Sequence, residues 1–366
     1  MVTRVAATGR KAEFLKLLRA VRSRSASYSF RSVQAILKAA GMPSSNGWVP
    51  LLNKYEALNY ADGSTDWDLY HETLLEMRAA SILAGTTAVW LFKAPPADVA
   101  DLQRKVVSSV SKTSPFAAAY PFPLPEEELS SQSFKTVPVF VENLGAGRSA
   151  VVSCGKRAYR EREQLGPEDL QEELRAGLGN FQELIVVRSG FTQAYDRLIF
   201  DPAAGHFEIH LDLCCPLNTD ELQQMQEAYI DRIKGPAEKA IGRKLPWLHK
   251  PTNLFPQIAN LYKQGDGVVQ LLGHVTSTKS VKVERMRSQL LDLREELFHK
   301  KGRAAVNDSD AFSIKKGWPA ARGNVPAVFI PGHSGQAGAT DAAVRYAIVE
   351  NCATGQDLEG VVARLR

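Results

Sequence analysis

The sequence predicts an α+β protein, with a small N-terminal helical domain followed by a larger domain that has a mainly antiparallel sheet and flanking helices. Through the first 83 residues apolar side chains recur at helical spacing, whereas later segments contain short runs of strand-forming residues. Several predicted strands are joined by turns of only a few residues, at 201–205 and 277–280. Only antiparallel neighbours can be connected so briefly, so the sheet is predicted to be largely antiparallel.

The length and composition are those of a globular protein. The 366 residues are 44% hydrophobic and 23% charged, enough for one large or two ordinary cores. No apolar stretch approaches the ~18 residues of a membrane-spanning helix, so we expect a cytoplasmic protein with no membrane partner. The four cysteines show no C-x-x-C spacing, so neither a zinc site nor a disulfide is predicted.

Five helices and one strand are predicted in the N-terminal domain, placed at residues 1–111. The helices cover 12–24, the segment from Ser32 to Gly41, a stretch with Pro50 in its first turn, and 66–83; a strand at 86–93 and a helix at 96–107 follow. The turn at 44–47 is compatible with a helix-turn-helix-like arrangement whose third helix would enter the major groove. A helical adaptor or packing bundle would show the same pattern.

A segment rich in helix and strand breakers separates the two predicted domains. Residues 112–133 contain Pro121, Pro123 and Pro125, so neither regular structure can continue through them, and we interpret the segment as a Pro-rich linker or arm. The α+β domain is placed at 134–366. Its predicted strands are 136–142, 150–154, 183–188, 195–200, 206–213, 268–275, 281–285, 325–330 and 344–349, and its helices are 167–178, 219–241 and 288–300.

The most specific chemical pattern lies in the predicted strand 206–213. His206, Glu208, His210 and Asp212 alternate with apolar residues, so a strand would align all four on one face. Alternate residues on a face lie about 7 Å apart, so neighbouring pairs could share a divalent metal ion. The solvent-exposed outer face of an antiparallel sheet would show the same alternation. No other cofactor is predicted.

Two short motifs resemble active-site loops but lack a required residue. The segment 332–336 has Gln336 where the nucleophile elbow of an α/β-hydrolase needs glycine. The segment 154–157 ends like a phosphate-binding loop, but Arg157 replaces the hydroxyl residue that holds magnesium. No catalytic residue is therefore predicted.

Positive charge is concentrated in two segments. The first 40 residues carry nine Lys and Arg against one acid, and residues 232–322 carry eighteen against eight, although the net charge of the chain is only +5. Such segregation is typical of nucleic-acid-binding proteins. In the second segment cations alternate with aromatic residues, which suits phosphate contacts and base stacking. The candidate binding residues are Arg19, Arg22, Arg24, Arg31, Arg243, Lys244, Trp247 and Lys250.

These patterns favour a nucleic-acid-binding protein, with DNA as the expected partner. Basic faces of both domains would contact phosphates, Trp247 would be a stacking platform, and the protein would act as a regulatory or accessory component of a larger complex. A metal-dependent nuclease or hydrolase using the 206–212 strand is one alternative. A protein-interaction adaptor, whose basic face binds an acidic protein partner, is the other.

Overall fold

The fold is α+β, as the sequence predicts. A computed structural model describes residues 7–166, 172–180, 182–306 and 309–366, and within them it contains twelve α-helices and one ten-stranded sheet. The helices are α1 (Ala7–Arg22), α2 (Phe30–Ala39), α3 (Trp48–Glu56), α4 (Trp67–Leu83), α5 (Pro96–Ser108), α6 (Pro115–Ala119), α7 (Glu126–Ser131), α8 (Glu172–Leu178), α9 (Thr219–Ile241), α10 (Phe255–Lys263), α11 (Leu297–Ala305) and α12 (Gly355–Ala363).

The sheet is antiparallel between every pair of neighbouring strands. Its strands are β1 (Thr87–Lys93), β2 (Val137–Gly145), β3 (Arg148–Leu165), β4 (Leu184–Asp201), β5 (His206–Asp212), β6 (Val268–Thr276), β7 (Val281–Arg285), β8 (Ser309–Gly317), β9 (Ala327–Ile330) and β10 (Ala347–Glu350). They lie in the order β2-β3-β4-β5-β1-β10-β9-β8-β6-β7. The tight turns predicted at 201–205 and 277–280 join β4 to β5 and β6 to β7.

Strand β1 lies inside the sheet and is covered by helices on both faces. It pairs with β5 on one side and β10 on the other, so Thr87 is opposite both Asp212 and Val349. Val89 and Leu91 pack into the core beneath α1–α4, α10 and α12. The alternate β1 residues, such as Trp90, pack into a second core with α5 and α9. A strand from the predicted N-terminal domain therefore belongs to the same sheet as the rest of the chain.

Residues 112–133, predicted to be a linker or arm, instead contain two short helices. Phe116 of α6 is 2% exposed, and it packs with Leu124, Leu129 of α7 and Tyr195 of β4. Pro115 lies in the first turn of α6 and Pro125 at the N-cap of α7, positions whose N–H makes no hydrogen bond within the helix.

Several element bounds differ from the prediction. The predicted strands 183–188 and 195–200 form the single strand β4, and the predicted helix 288–300 is a loop with one short 3₁₀ helix, Leu293–Glu295, before α11. The helices α10 and α12 and the strand β8 are not predicted. Residues 167–171 of the predicted helix 167–178 lie outside the described residues, and α8 covers the remainder. Among the described helices, none combines the length and the hydropathy needed to cross a bilayer.

Candidate nucleic-acid interface

Arg24, one of the predicted phosphate ligands, is held in the protein interior. It is 2% exposed, and its Nη2 donates to Asp212 Oδ1 at 2.9 Å while its Nε donates to the backbone oxygen of Ser81. Burial opposes the charge on the guanidinium, but Asp212 outweighs this effect and raises the pKa of Arg24. The Arg24 side chain therefore forms a structural ion pair with Asp212 and cannot reach a phosphate.

Two predicted residues of the second basic segment are bound by acids of α5. Asp98 accepts hydrogen bonds from the Arg243 guanidinium and, at 3.1 Å, from the indole Nε1 of Trp247. Arg243 also lies 3.1 Å from Asp101. Trp247 is only 9% exposed and packs edge-on against Phe207, so its ring is a core side chain rather than a stacking platform.

The remaining predicted cations stay at the surface but are dispersed. Arg19 pairs with Glu56 at 3.4 Å, and the exposed Lys244 pairs with the half-buried Glu238 at 3.3 Å. Ion pairs of exposed cations contribute little to stability. Arg22 is exposed. Arg31 lines a groove described below, and Lys250 lines a separate cleft.

The polar face of β5 is buried, which contradicts the expected solvent-exposed sheet face. Glu208 is 2% exposed, His210 1% and Asp212 3%. The Nε2 of His210 lies 2.7 Å from Glu208 Oε2, and Arg366 Nε donates to Glu208 Oε1 at 2.7 Å. Burial lowers the pKa of His210, so Nε2–H of the neutral ring is the donor to the carboxylate.

The residues proposed as metal ligands are therefore used in ion pairs and hydrogen bonds. Asp212 binds Arg24, Glu208 binds Arg366, and His206 is half-buried at the other end of the strand. Across the described ranges, no group of three or more His, Cys, Asp or Glu side chains is arranged to hold a metal ion. The geometry gives no support to metal-dependent hydrolysis on this strand.

A second buried ion pair, which the sequence did not reveal, lies next to Arg24 and Asp212. Asp196 of β4 receives hydrogen bonds from Arg157 of β3 and, at 2.7 Å, from the Tyr229 hydroxyl of α9. Its Oδ1 also accepts from the Asp212 backbone N–H at 2.9 Å. Burial and the charge of Asp196 raise the pKa of Tyr229, which keeps the hydroxyl protonated as a donor. These partners are distant in sequence, so no local pattern marks them.

Three cations without a carboxylate partner among the described residues line a groove of about 450 Å³, here called the cationic groove. The helix α2 contributes Arg31 and Lys38, which are two turns apart and so lie on one face about 10 Å from each other along the axis. The loop before β9 contributes Arg322. The lining residues are Ser29, Arg31, Gln34, Ala35, Lys38, Ser288, Gln289, Leu290, Arg322, Gly323, Asn324, Val325 and Asn351.

Among the described residues that line the cationic groove, none carries a carboxylate. In the described part of the chain, Arg31, Lys38 and Arg322 form no ion pair, and Arg31 Nη1 donates instead to Gln289 Oε1 at 3.2 Å. Arg287 immediately precedes the groove residue Ser288 and is exposed. A concave surface lined by one sign of charge concentrates the potential and attracts an anionic partner.

Amide side chains make up much of the remaining polar lining. Asn324 is 5% exposed and donates from Nδ2 to the backbone oxygen of Asn351 at 3.1 Å and to Asp357 Oδ2 at 2.9 Å. These bonds fix the loop that carries Arg322. Ser29 caps α2 through the Ser32 N–H, which fixes the start of the helix that carries the other two cations.

The fold and the groove together define an α+β protein with a preformed cationic concavity. Comparisons with known proteins do not assign it to a family. The chain matches no protein-family model, and no curated protein is significantly similar to it. Of the predicted site residues, only Arg31 lies in the groove. Lys38 and Arg322 were missed as individual residues, although both belong to the basic segments that the sequence marks.

Proposed function

We propose that the protein binds nucleic acid, with DNA as the expected partner, through the cationic groove. The observation that carries the proposal is the convergence of Arg31, Lys38 and Arg322 on one concavity, whose described lining residues include no carboxylate. Phosphate oxygens are the natural ligands of such a surface, because each contact releases condensed counterions.

The lining of the groove changes the set of residues that are proposed to contact nucleic acid. Arg31 keeps its predicted role and is joined by Lys38 and Arg322, whereas Arg24, Arg243 and Trp247 are structural. Gln34 and Gln289 supply amide groups that can contact sugars or base edges beside the phosphates. The helix-turn-helix-like arrangement, the cytoplasmic location and membership of a larger complex stay predictions within the same proposal.

The test compares two triple variants that lose the same charge. Arg31→Ala, Lys38→Ala and Arg322→Ala together remove the groove cations, while Lys112→Ala, Lys239→Ala and Lys263→Ala together remove exposed lysines outside the groove lining. Fluorescence anisotropy with a labelled duplex and a single strand of equal length, from ~50 to ~200 mM salt, measures the affinity and its salt dependence.

We expect the groove variant to bind more weakly and its plot of log K against log salt to be flatter by about 2 to 3, as the loss of three phosphate contacts requires. The control variant keeps most of the wild-type slope. Equal affinities and slopes in the two variants would overturn the proposal, as would absence of wild-type binding at ~50 mM salt. Capture of one specific acidic protein by a chain that binds no nucleic acid would favour the adaptor function instead.

A further inference from the structure

A second concave site lies away from the cationic groove and shares none of its lining residues. It is a cleft of about 700 Å³ between α9, the segment 249–251, the loop 331–336 and the residues 343–346. This volume is within the ~300–1,000 Å³ of small-molecule sites. The side chains around it are of three kinds, and each kind recognises a different part of a ligand.

One wall of the cleft is aromatic. The rings of Trp90 and Tyr346 are stacked, with centroids 5.3 Å apart and planes 26° from parallel, and both residues line the cleft. Trp90 is 3% exposed and belongs to the core, so it holds the half-buried Tyr346 in place. A planar heteroaromatic ring can add to such a stack.

An amide side chain is open to the same cleft. Gln226 of α9 lines it, is 7% exposed, and its side chain forms no hydrogen bond within the described part of the chain. The amide is not among the buried polar groups that lack a partner, so it is reachable from the cleft, where a ligand can form hydrogen bonds with it. The edge of a nucleobase carries the matching donor and acceptor groups.

The third kind of side chain is cationic. Lys250 and Arg345 line the cleft, are exposed, and have no carboxylate partner in the described residues. Arg345 Nη1 donates to the backbone oxygen of Pro251 at 3.0 Å, which holds the guanidinium at the rim. Among the described lining residues Glu227 alone carries a carboxylate, and it accepts a hydrogen bond from Gln223 at 2.9 Å. Two cations against one carboxylate leave the cleft with a net positive charge.

We infer that this cleft binds a nucleoside monophosphate, with the base against Tyr346 and Gln226 and the phosphate against Lys250 and Arg345. The inference does not depend on the cationic groove. The ligand could be a free mononucleotide or the 5′-phosphorylated end of a strand, since both present a base and a terminal phosphate.

Isothermal titration calorimetry with AMP, GMP, CMP and UMP tests the inference, with the matching nucleosides and inorganic phosphate as partial ligands. We expect at least one monophosphate to bind about tenfold or more tightly than its nucleoside or phosphate alone. The nucleoside lacks the charge-assisted hydrogen bonds to the phosphate, and inorganic phosphate lacks the ring that stacks on Tyr346. If a 5′-phosphorylated tetranucleotide displaces the monophosphate, the ligand of the cleft is the end of a strand. If it does not, the ligand is the free mononucleotide.

Variants separate the two ends of the ligand. Lys250→Ala with Arg345→Ala should weaken monophosphate binding about tenfold or more and leave nucleoside binding unchanged, and both positions are exposed, so folding is retained. Gln226→Leu should weaken the nucleoside and the monophosphate alike. The matched control is Lys239→Ala with Lys263→Ala, which should bind like the wild type.

The inference is overturned if no monophosphate binds the wild type at millimolar concentration, or if the Lys250 and Arg345 double variant binds like its control. The groove variant with Arg31, Lys38 and Arg322 replaced should keep full monophosphate affinity. DNA binding by this groove variant therefore tests the proposed function, whereas its monophosphate binding tests the cleft, and the two results are independent.

Discussion

Arg24 and Asp212 connect the turn after α1 to the end of β5. Besides Arg24, Asp212 Oδ2 accepts the backbone N–H of Tyr195 at 2.9 Å, so one carboxylate joins an arginine and two strands of the sheet. Both side chains are almost fully buried, at 2% and 3% exposure. Removing one member of such a pair leaves the other charge without compensation in a medium that solvates it poorly.

A double-mutant cycle on this pair tests its structural role. We expect Arg24→Met and Asp212→Asn each to lower the free energy of unfolding by about 3–5 kcal/mol. The double variant should lose less stability than the sum of the two single losses, because it buries no lone charge. The asparagine oxygen also still accepts the backbone N–H of Tyr195. Urea unfolding followed by circular dichroism gives the three values. Additive losses would show that the two side chains do not interact.

The sequence could predict which residues share the β5 face but not what covers that face. The alternation of His206, Glu208, His210 and Asp212 correctly gives a strand with four polar residues on one side. Their partners come from remote parts of the chain, since Arg24 is 188 positions from Asp212 and Arg366 is 158 from Glu208. Local periodicity contains no information about such pairings, so the burial of the face could not be predicted.

At the scale of elements, the segment 112–133 was predicted to be a linker or arm because its prolines were interpreted only as helix breakers. Proline stops a helix that is already under way but is favoured in its first turn. Ser114 caps α6 by accepting from the Ala117 N–H at 3.1 Å, and Pro115 follows it directly. The Ser-Pro pair is thus a helix start signal that was available in the sequence. The helix is short because Tyr120 and Pro121 end it.

Truncation of Phe116 distinguishes a packed segment from a surface arm. We expect Phe116→Ala to lower the free energy of unfolding by about 3–5 kcal/mol, because the ring is 2% exposed against Tyr195 and Val152. The control is Phe134→Ala, whose ring is 63% exposed and which should cost clearly less. Chemical unfolding of both variants is the measurement. Equal, small effects would mean that the segment contributes nothing to the core.

Elements with strong local signals were predicted best. The helix α9 has the predicted bounds, and Asn218 and Glu221 form a capping box at its start. The strand β8 was missed because its Lys315 and Lys316 suggest a surface segment. In the structure Lys316 is fully buried and its Nζ donates to the backbone oxygens of Leu261 and Gln264, at the C-terminal end of α10. A lysine that satisfies carbonyls at a helix end is invisible in a hydrophobic pattern.

For the molecule as a whole, the fold class followed from short turns, whereas the strand order did not. Adjacent hairpins such as β4–β5 and β6–β7 are encoded by the residues between their strands. The insertion of β1 between β5 and β10 joins positions more than 100 residues apart. Such pairings depend on which apolar faces fit together after both halves of the chain are present.

The distribution of charge also has to be judged on the folded chain. The two basic segments contain most of the positive charge, yet folding neutralises Arg24 and Arg243 and brings Arg31, Lys38 and Arg322 together. The net charge of a segment predicts a class of partner, whereas the candidate contact residues could be located only on the folded chain.

Hydrogen–deuterium exchange with and without a DNA duplex tests the central claim most directly, because it locates the contact without any substitution. The account predicts that DNA slows amide exchange in residues 31–38, 286–290 and 320–325, the three segments that meet at the cationic groove. Residues 239–250, around Arg243 and Trp247, should exchange at the same rate in both samples. Slowing confined to 239–250, or no slowing in the three groove segments at saturating DNA, would contradict it.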